Sequence, residues 1–198
     1  MFGFGAILAL AGRAAHLEAV RRTRLSPKDM MALHCTECGV QYPEDLPLDE
    51  EGARTCPNCG AINYLQLKLG AATIVEQDGR ILLLRRSDQP FKGFWGLPAG
   101  YIRWDEPPEV GAVRETEEEC GLIVEIQNLT GAYFFDDDPR GNGVLLAYRC
   151  RVSSGTPHAT SEATETQFFA RGSLPDRLAG SGQDQAILAW QNQRPAPE

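Results

Sequence analysis

The chain has 198 residues, of which 23% are charged, and its formal net charge is −8. This length suits one main domain with a small appendage. So acidic a chain lacks the basic footprint that nucleic acid binding requires, so we expect no nucleic-acid partner. No apolar run reaches the roughly eighteen residues of a membrane span, so we also expect no membrane partner.

The first 30 residues are predicted to form a separate N-terminal segment. Its opening run, Met1 to Gly12, is apolar but short, and its arginines come after the apolar stretch, which argues against a secretory signal. Residues 6 to 24 have the spacing of a loose amphipathic helix, and a frayed terminus is the alternative. Together with reduced cysteines elsewhere in the chain, this predicts a cytoplasmic protein.

Two Cys-x2-Cys pairs follow, with seventeen residues between them and a glycine after each pair. This spacing is typical of a tetrahedral zinc site, and two disulfides or iron are the alternatives. Four thiolates leave no position for water or substrate, so the zinc is expected to be structural. It would stabilise a small zinc-ribbon domain over residues 31–66, which is too short to fold without such support. The expected ligands are Cys35, Cys38, Cys56 and Cys59.

The remaining residues, 67–198, are predicted to form an α/β domain. Two apolar, β-branched runs, Ala71 to Gln77 and Arg80 to Arg86, flank an Asp-Gly turn and predict a hairpin. A loop broken by glycine and proline then leads to Gly100. Beyond residue 121, the pattern predicts three strands and a closing helix. These later elements are Leu122 to Phe135, Val144 to Val152, Thr164 to Ala170, and the helix Asp184 to Gln193.

The segment from Gly100 to Leu122 carries the strongest signal. It reads Gly-x5-Glu-x7-Arg-Glu-Thr-Glu-Glu-Glu-Cys-Gly-Leu, and a helix is predicted from Pro107-Pro108 to Gly121. Like charges at such spacings repel, which indicates that a cation lies among them, and carboxylate oxygens suit Mg²⁺ or Mn²⁺. A solvated acidic helix is the alternative. The carboxylates that share a sector of roughly 80 to 100° are Glu115, Glu118 and Glu119.

This segment resembles the box of the Nudix hydrolase family, Gly-x5-Glu-x7-Arg-Glu-U-x-Glu-Glu-x-Gly-U, where U is a bulky apolar residue. Only Thr116 departs from it, and a β-branched threonine is expected to pack at that position. The resemblance implies an α/β/α sandwich with a mixed sheet. A zinc ribbon directly before such a domain resembles the layout of NADH pyrophosphatases, but the Ser-Gln-Pro-Trp-Pro-Phe-Pro run of those enzymes is absent after Leu122.

The resemblance implies an enzyme that hydrolyses the pyrophosphate bond of a nucleoside diphosphate linked to another group, using Mg²⁺ or Mn²⁺. The three box carboxylates would hold the metal together with the carbonyl of Gly100. Arg114 would pair with a neighbouring carboxylate and keep it in place. Glu106 would brace the loop, contact a second metal or contact the substrate.

Substrate contacts and the general base are less tightly defined by the sequence. Arg85, Arg86 and Arg103 flank the box and are candidates to bind a polyanionic substrate, although each also reads as a surface charge. Members of the family take the general base from the box or from a later loop. In a later loop, the candidates are Glu162 and Glu165.

The predicted substrate is ADP-ribose or a nucleoside diphosphate sugar. Pro139 lies close to the place where a proline marks ADP-ribose pyrophosphatases, although it also suits a hairpin turn. NADH or another dinucleotide and nucleoside triphosphates are alternatives within the family. A non-catalytic ligand sensor is the alternative of a different class, and a homodimer is a further open question. Aromatic residues that could stack on a base, or belong to the core, are Trp95, Trp104, Tyr133, Phe134 and Phe135.

Overall fold

The computed structural model describes residues 33–193, so the predicted N-terminal segment and its helix lie outside the described residues. The ribbon region contains two short antiparallel strands, β1 (Ala53–Thr55) and β2 (Ile62–Tyr64). Tyr42 packs with two of the cysteines in a small core of its own. The division between this region and the main domain near residue 66 stays a prediction.

A mixed sheet forms the main domain. Its strand β3 runs parallel to β8 and antiparallel to β4 and β6, β7 is antiparallel to β8, and β5 and β9 both pair with β4. This arrangement confirms the predicted mixed sheet. The strands are β3 (Lys68–Gln77), β4 (Arg80–Arg86), β5 (Trp95–Gly96), β6 (Ala99–Tyr101), β7 (Ile123–Phe135), β8 (Gly143–Ser154) and β9 (Ala163–Ala170).

The predicted hairpin is present between β3 and β4. Asp78 and Gly79 both have positive φ, 50° and 69°, as a turn of the mirror-image type requires. Strand β3 begins three residues earlier than the sequence suggested, because the backbone of Lys68 pairs with Gly143 of β8. A strand partner that is distant in sequence, and not the apolar run, therefore decides where this strand begins.

Two helices pack on the sheet through separate core clusters. Helix α1 (Pro108–Cys120) places Ala112 against Ala71 and Tyr148, and Cys120 joins the cluster around Val75. Helix α2 (Gln183–Asn192) contributes Ala186, Ile187 and Trp190 to the cluster that also contains Leu83 and Phe135. The helices with the sheet between them confirm the predicted sandwich.

Thr116, the departure from the box pattern, is fully buried on α1. Its hydroxyl donates to the carbonyl of Ala112 at 2.7 Å and lies 2.7 Å from the hydroxyl of Thr73 on β3. Because Thr116 donates to Ala112, Thr73 is left to donate to Thr116. Thr73 on the sheet therefore hydrogen bonds to the hydroxyl that Thr116 places in the core, so both buried hydroxyls have a partner.

Candidate active site

The box begins where strand β6 lies directly against helix α1. A Cβ atom built on Gly100 would lie 2.1 Å from Cδ of Glu115, which no side chain permits. Glycine at this position therefore allows the Glu115 carboxylate to rest against the backbone of β6. This contact brings the Glu115 carboxylate and the Gly100 backbone, both predicted metal ligands, to the same place.

Glu119 is the most buried of the box carboxylates, with 7% of its surface exposed. Its Oε2 accepts a hydrogen bond from the backbone N–H of Ala99 at 2.9 Å. Burial raises the pKa of Glu119 to about 8, and this effect outweighs that hydrogen bond. Burial also raises the pKa of Glu115, with the charges of Glu118 and Glu162 acting in the same direction. Carboxylates crowded in this way fit a divalent cation, which would stabilise their charged forms.

Arg114 organises the carboxylates around it. Its guanidinium donates two hydrogen bonds to Glu106, at 2.6 and 3.1 Å, and one each to Glu115 at 2.6 Å and Glu118 at 3.0 Å. The hydrogen bonds from Arg114 lower the pKa of Glu106 to about 2, with the backbone N–H of Arg103 helping. Glu106 therefore stays charged and braces Arg114, which in turn holds Glu115.

A cavity of about 300 Å³ opens beside the box. Glu115, Glu119 and Glu162 line it together with Arg86. Glu118 does not line this cavity, and its side chain is 48% exposed. The cavity also has polar and aromatic walls, most of which come from outside the box. These walls include Phe91, Tyr101, Phe135, Asp138, Arg140, Ser181 and Gln183.

The three arginines predicted to contact substrate occupy different places. Arg86 lines the cavity and donates through Nε to the carbonyl of Pro90 at 3.1 Å. Arg85 instead pairs with Glu165 on β9 at 2.7 Å. Arg103 is 59% exposed and approaches Glu118 at 3.5 Å. Arg86 is thus the candidate that faces the cavity.

The structure also places the two candidate general bases in different surroundings. Glu162 lines the cavity, whereas the carboxylate of Glu165 is engaged by Arg85. The loop that carries Glu162 is attached to the box by Thr160, whose hydroxyl donates to the carbonyl of Glu119 at 3.0 Å. The backbone N–H of Ser87 also donates to the carbonyl of Glu162 at 3.0 Å. These contacts fix the Glu162 loop against the carboxylate end of the cavity.

Sequence reasoning missed a polar cluster in the cavity wall. The side chain of Asp138 is fully buried and accepts hydrogen bonds from Arg140, Tyr101 and Ser181. The sequence shows Asp138 and Arg140 only as part of a polar turn around Pro139. Two charged residues flanking a proline are a weak signal, since most such turns are solvated.

The five aromatic residues that were candidates for stacking on a base also lie in different surroundings. Phe135 lines the cavity and is 3% exposed. Trp95 packs edge-to-face against Phe169, with ring centroids 4.9 Å apart, and Tyr133 packs on the same core cluster. Phe134 and Trp104 are exposed, at 52% and 96%. Only Phe135 among these five forms part of the cavity wall.

The four ribbon cysteines come together as a second candidate metal site. Their sulfur atoms all lie within 4.8 Å of one another, and Cys35 Sγ to Cys59 Sγ and Cys38 Sγ to Cys56 Sγ are both 3.7 Å. A disulfide requires about 2.05 Å, whereas a zinc tetrahedron with bonds of about 2.3 Å has edges of about 3.8 Å. The cluster is therefore compatible with a zinc ion and not with disulfides between these pairs.

The turn after each cysteine pair has the expected form. Gly39 and Gly60 have φ of 72° and 76°, and their N–H groups donate to the carbonyls of Cys35 and Cys56 at 2.9 Å. Asn58 and Asn63 direct side-chain N–H groups toward cluster sulfurs, at 3.6 and 3.8 Å. Donors of this kind stabilise thiolate charge around a metal.

The fold and the box together define a protein of the Nudix class. A sequence profile of the NUDIX domain matches residues 66–191. The chain belongs to this family and is a Nudix hydrolase. The match begins where the predicted ribbon ends, and it covers the mixed sheet, helix α1, all but the last residue of helix α2, and the whole cavity.

Several known proteins are similar to the chain. The ADP-ribose pyrophosphatase of Methanocaldococcus jannaschii is 38% identical over 113 residues, which is 57% of this chain and 67% of that protein. The NAD-capped RNA hydrolase NudC of Chromobacterium violaceum is 32% identical over 121 residues, 61% of this chain and 43% of that protein. A crystal structure of a NUDIX hydrolase from Nitrosomonas europaea matches with a TM-score of 0.67 at 27% identity, over 82% of this chain and 92% of that chain.

In the part of the chain that the structure describes, no helix combines the length and the apolar character needed to cross a bilayer.

Proposed function

We propose that this Nudix hydrolase cleaves the pyrophosphate bond of a nucleoside diphosphate linked to another group, with ADP-ribose or a nucleoside diphosphate sugar as substrate. The observation that carries the proposal is the cavity itself, in which Glu115, Glu119 and Glu162 share one space with neutral polar and aromatic side chains. Such a site accommodates a metal-bound anhydride and an uncharged part of the same molecule. The similarity to the ADP-ribose pyrophosphatase of M. jannaschii supports this substrate class.

In the proposed mechanism, Glu115, Glu118 and Glu119 would hold Mg²⁺ or Mn²⁺ together with the carbonyl of Gly100. Such an ion would supply charge neutralisation on the phosphates and would make the attacking water more acidic. Arg114 keeps Glu115 in position, because their side chains are joined at 2.6 Å. Arg86 lines the cavity and supplies positive charge for a phosphate oxygen.

We assign the role of general base to Glu162. Its side chain lines the cavity, whereas Glu165 is held by Arg85 at 2.7 Å. A base must come within hydrogen-bond reach of the water that it deprotonates, directly or through one further water. The attachment of its loop to Glu119 through Thr160 keeps Glu162 near the proposed metal.

We further propose that the ribbon cysteines bind Zn²⁺ and that this ion is structural. Four sulfurs complete a tetrahedral shell and leave no position for water or substrate. The cysteines predicted from the sequence are the same four that the structure brings together. A homodimer and a cytoplasmic location stay predictions, and light scattering on the purified protein checks the first of them.

A second candidate substrate is a dinucleotide such as NADH. The ribbon followed by the Nudix domain favours it, as does the similarity to NudC of C. violaceum. The non-catalytic sensor is disfavoured because every glutamate of the box is present. One screen distinguishes these alternatives, because a dinucleotide hydrolase would cleave NADH, whereas a sensor would release no product.

The test is a hydrolysis screen with Mg²⁺ that covers ADP-ribose, nucleoside diphosphate sugars, NADH and nucleoside triphosphates. Wild type is compared with Glu118→Gln and with Glu117→Gln, an exposed residue of the same helix that the box leaves undefined. Release of AMP from ADP-ribose by wild type and Glu117→Gln, but not by Glu118→Gln, is the expected result. Preferred cleavage of NADH would establish the second candidate, and binding without turnover of any compound would establish the sensor.

A further inference from the structure

Arg54 is the only lysine or arginine in residues 33–66, and it is buried inside the ribbon with 4% of its surface exposed. Its Nε has no hydrogen-bond partner in the part of the chain that the structure describes. Among residues 33–193 it also forms no salt bridge. A buried cation is costly unless an opposite charge lies near it. The ribbon carboxylates that leave Arg54 unpaired are Glu37, Glu44, Asp45, Asp49, Glu50 and Glu51.

Arg54 lies on the face of strand β1 that is directed toward the cysteine cluster. Alternate side chains of an extended chain share a face, and Cys56 follows Arg54 by two residues. The cross-strand partner of Arg54 is Asn63 on β2, whose side-chain N–H is directed toward Cys35 Sγ at 3.8 Å. Residues directly opposite in an antiparallel pair have Cβ atoms about 4.5–5.5 Å apart. The side chain of Arg54 therefore begins next to a group that contacts the cluster.

Tyr42 connects the guanidinium of Arg54 with the cysteines. The ring centroid of Tyr42 lies 5.7 Å from Cζ of Arg54, and the same ring packs with Cys35 and Cys56. Tyr42 is 6% exposed, Cys35 3% and Cys56 2%. Because so little water reaches this core, charges within it are screened far less than charges on the surface.

The charge that Arg54 meets depends on the state of the cysteines. Four thiolates around one divalent ion carry two net negative charges, whereas four thiols or two disulfides carry none. We propose that Arg54 is the counter-ion of a doubly negative zinc–tetrathiolate site and retains Zn²⁺ in the ribbon through its charge. A neutral cluster leaves the buried guanidinium without an opposite charge, so Arg54 favours the metal-bound form. The inference rests on the proposed ribbon zinc and is independent of the proposed hydrolysis.

The experiment measures the dissociation constant of Zn²⁺ on the full-length protein by competition with a chromophoric chelator. Arg54→Met keeps an unbranched stem against Tyr42 but removes the charge, and it should weaken Zn²⁺ binding about 10- to 100-fold. Arg54→Lys keeps the charge and should stay within about fivefold of wild type. Arg151→Met, at a 69% exposed arginine side chain of β8, is the matched control and should change the constant by less than about twofold.

A change in the charge of the site separates an electrostatic role of Arg54 from a packing role. Cys59→His replaces one thiolate by a neutral imidazole, which also binds zinc, so the site keeps only one net negative charge. Cys59 is exposed, which leaves space for the larger ring. Coulomb energy is proportional to charge, so in this background Arg54→Met should weaken binding by only about 3- to 10-fold. A packing role predicts the same fold-change in both backgrounds.

The outcomes that contradict the proposal are specific. Wild-type or tighter Zn²⁺ binding by Arg54→Met would overturn it, because removal of a buried cation without a counter-ion is neutral or stabilising. Equal fold-changes in the two backgrounds would also overturn it. Arg54→Gln supplies a second neutral side chain, to which the same outcomes apply if Arg54→Met does not fold. A wild-type protein that binds no Zn²⁺ would refute both the ribbon zinc and this proposal, whereas a failure to hydrolyse any phosphoanhydride would refute the proposed hydrolysis alone.

Discussion

The two candidate metal sites of this protein are built in opposite ways. In the ribbon, four sulfurs lie within 4.8 Å of one another, with two three-residue strands and a small core around them. In the box, helix α1, strand β6 and Arg114 position the carboxylates, and Glu115 and Glu119 line an open cavity. We expect the ribbon to depend on a bound ion for its structure, whereas the box is formed by the fold and opens on a cavity. In a structural metal site the protein fills every coordination position, whereas a catalytic site keeps one open for water or substrate.

Loss of zinc should have the largest effect, and this effect should be confined to the ribbon. Structural zinc contributes roughly 10–16 kcal/mol of apparent binding free energy, so Cys56→Ser should release the ion and expose residues 33–66 to protease. Hydrolysis by the Nudix domain should change less than about tenfold, because the closed site touches no substrate. Zinc analysis, limited proteolysis and a turnover assay measure the three outcomes.

Cys150→Ala is the control for that experiment, since Cys150 is buried on β8, away from the cluster. It should retain one equivalent of zinc. If the activity of Cys56→Ser fell in parallel with its zinc content, the ribbon ion would take part in catalysis, and the distinction between a structural and a catalytic site would be wrong.

Removal of a box carboxylate should have the next largest effect, and it should act on turnover. Glu115→Gln should lower kcat by about 10³-fold, since it removes several kcal/mol of charge stabilisation by the metal. The zinc content should not change. Steady-state kinetics with Mg²⁺ measures the effect, and Glu117→Gln is the control. A Glu115→Gln enzyme with near wild-type kcat would mean that the metal lies elsewhere.

Weakening the Arg114 contacts should have a smaller effect. Arg114→Lys keeps the charge but cannot reproduce the hydrogen bonds to Glu106, Glu115 and Glu118, because an ammonium lacks the guanidinium fork. We expect a loss of about 10- to 100-fold in kcat, together with weaker Mg²⁺ activation. Arg103→Lys, at a 59% exposed side chain, should change kcat by less than about twofold. If both variants behave alike, Arg114 does not position the carboxylates.

The smallest effect is expected in the core beneath the box. Thr116→Val removes the hydroxyl that lies 2.7 Å from the Thr73 hydroxyl and should destabilise the domain by about 1–3 kcal/mol. The double variant with Thr73→Val removes both hydroxyls, so it should recover part of that loss. Urea denaturation of the four proteins in the cycle measures the coupling. Strictly additive effects would show that the 2.7 Å contact contributes nothing to stability.

Much of the fold and of the box was accessible from the sequence because the signals are local. The Asp78-Gly79 hairpin, the helix up to Gly121 and the two cysteine pairs depend on residues a few positions apart. The beginning of β3 was placed too late because its pairing with Gly143 is distant in sequence. From the sequence, Arg85 and Arg86 were equally good candidates for substrate binding. The structure distinguishes them, because strand β9 places Glu165 beside Arg85, whereas Arg86 lines the cavity.

The sequence by itself determined which side chains are candidate ligands at both candidate metal sites, because thiolates at Cys-x2-Cys spacing and carboxylates on one helical turn are recognisable without reference to the rest of the chain. Tertiary structure alone decided which other residues share the cavity. Gln183, Asp138 and Tyr101 belong to separate elements, and only the packing of α2 and the β7–β8 loop against β6 brings them together. Residues that lie close together in the sequence define the ligand type, whereas the walls of a cavity are formed by residues that are distant in sequence and meet only in the folded protein.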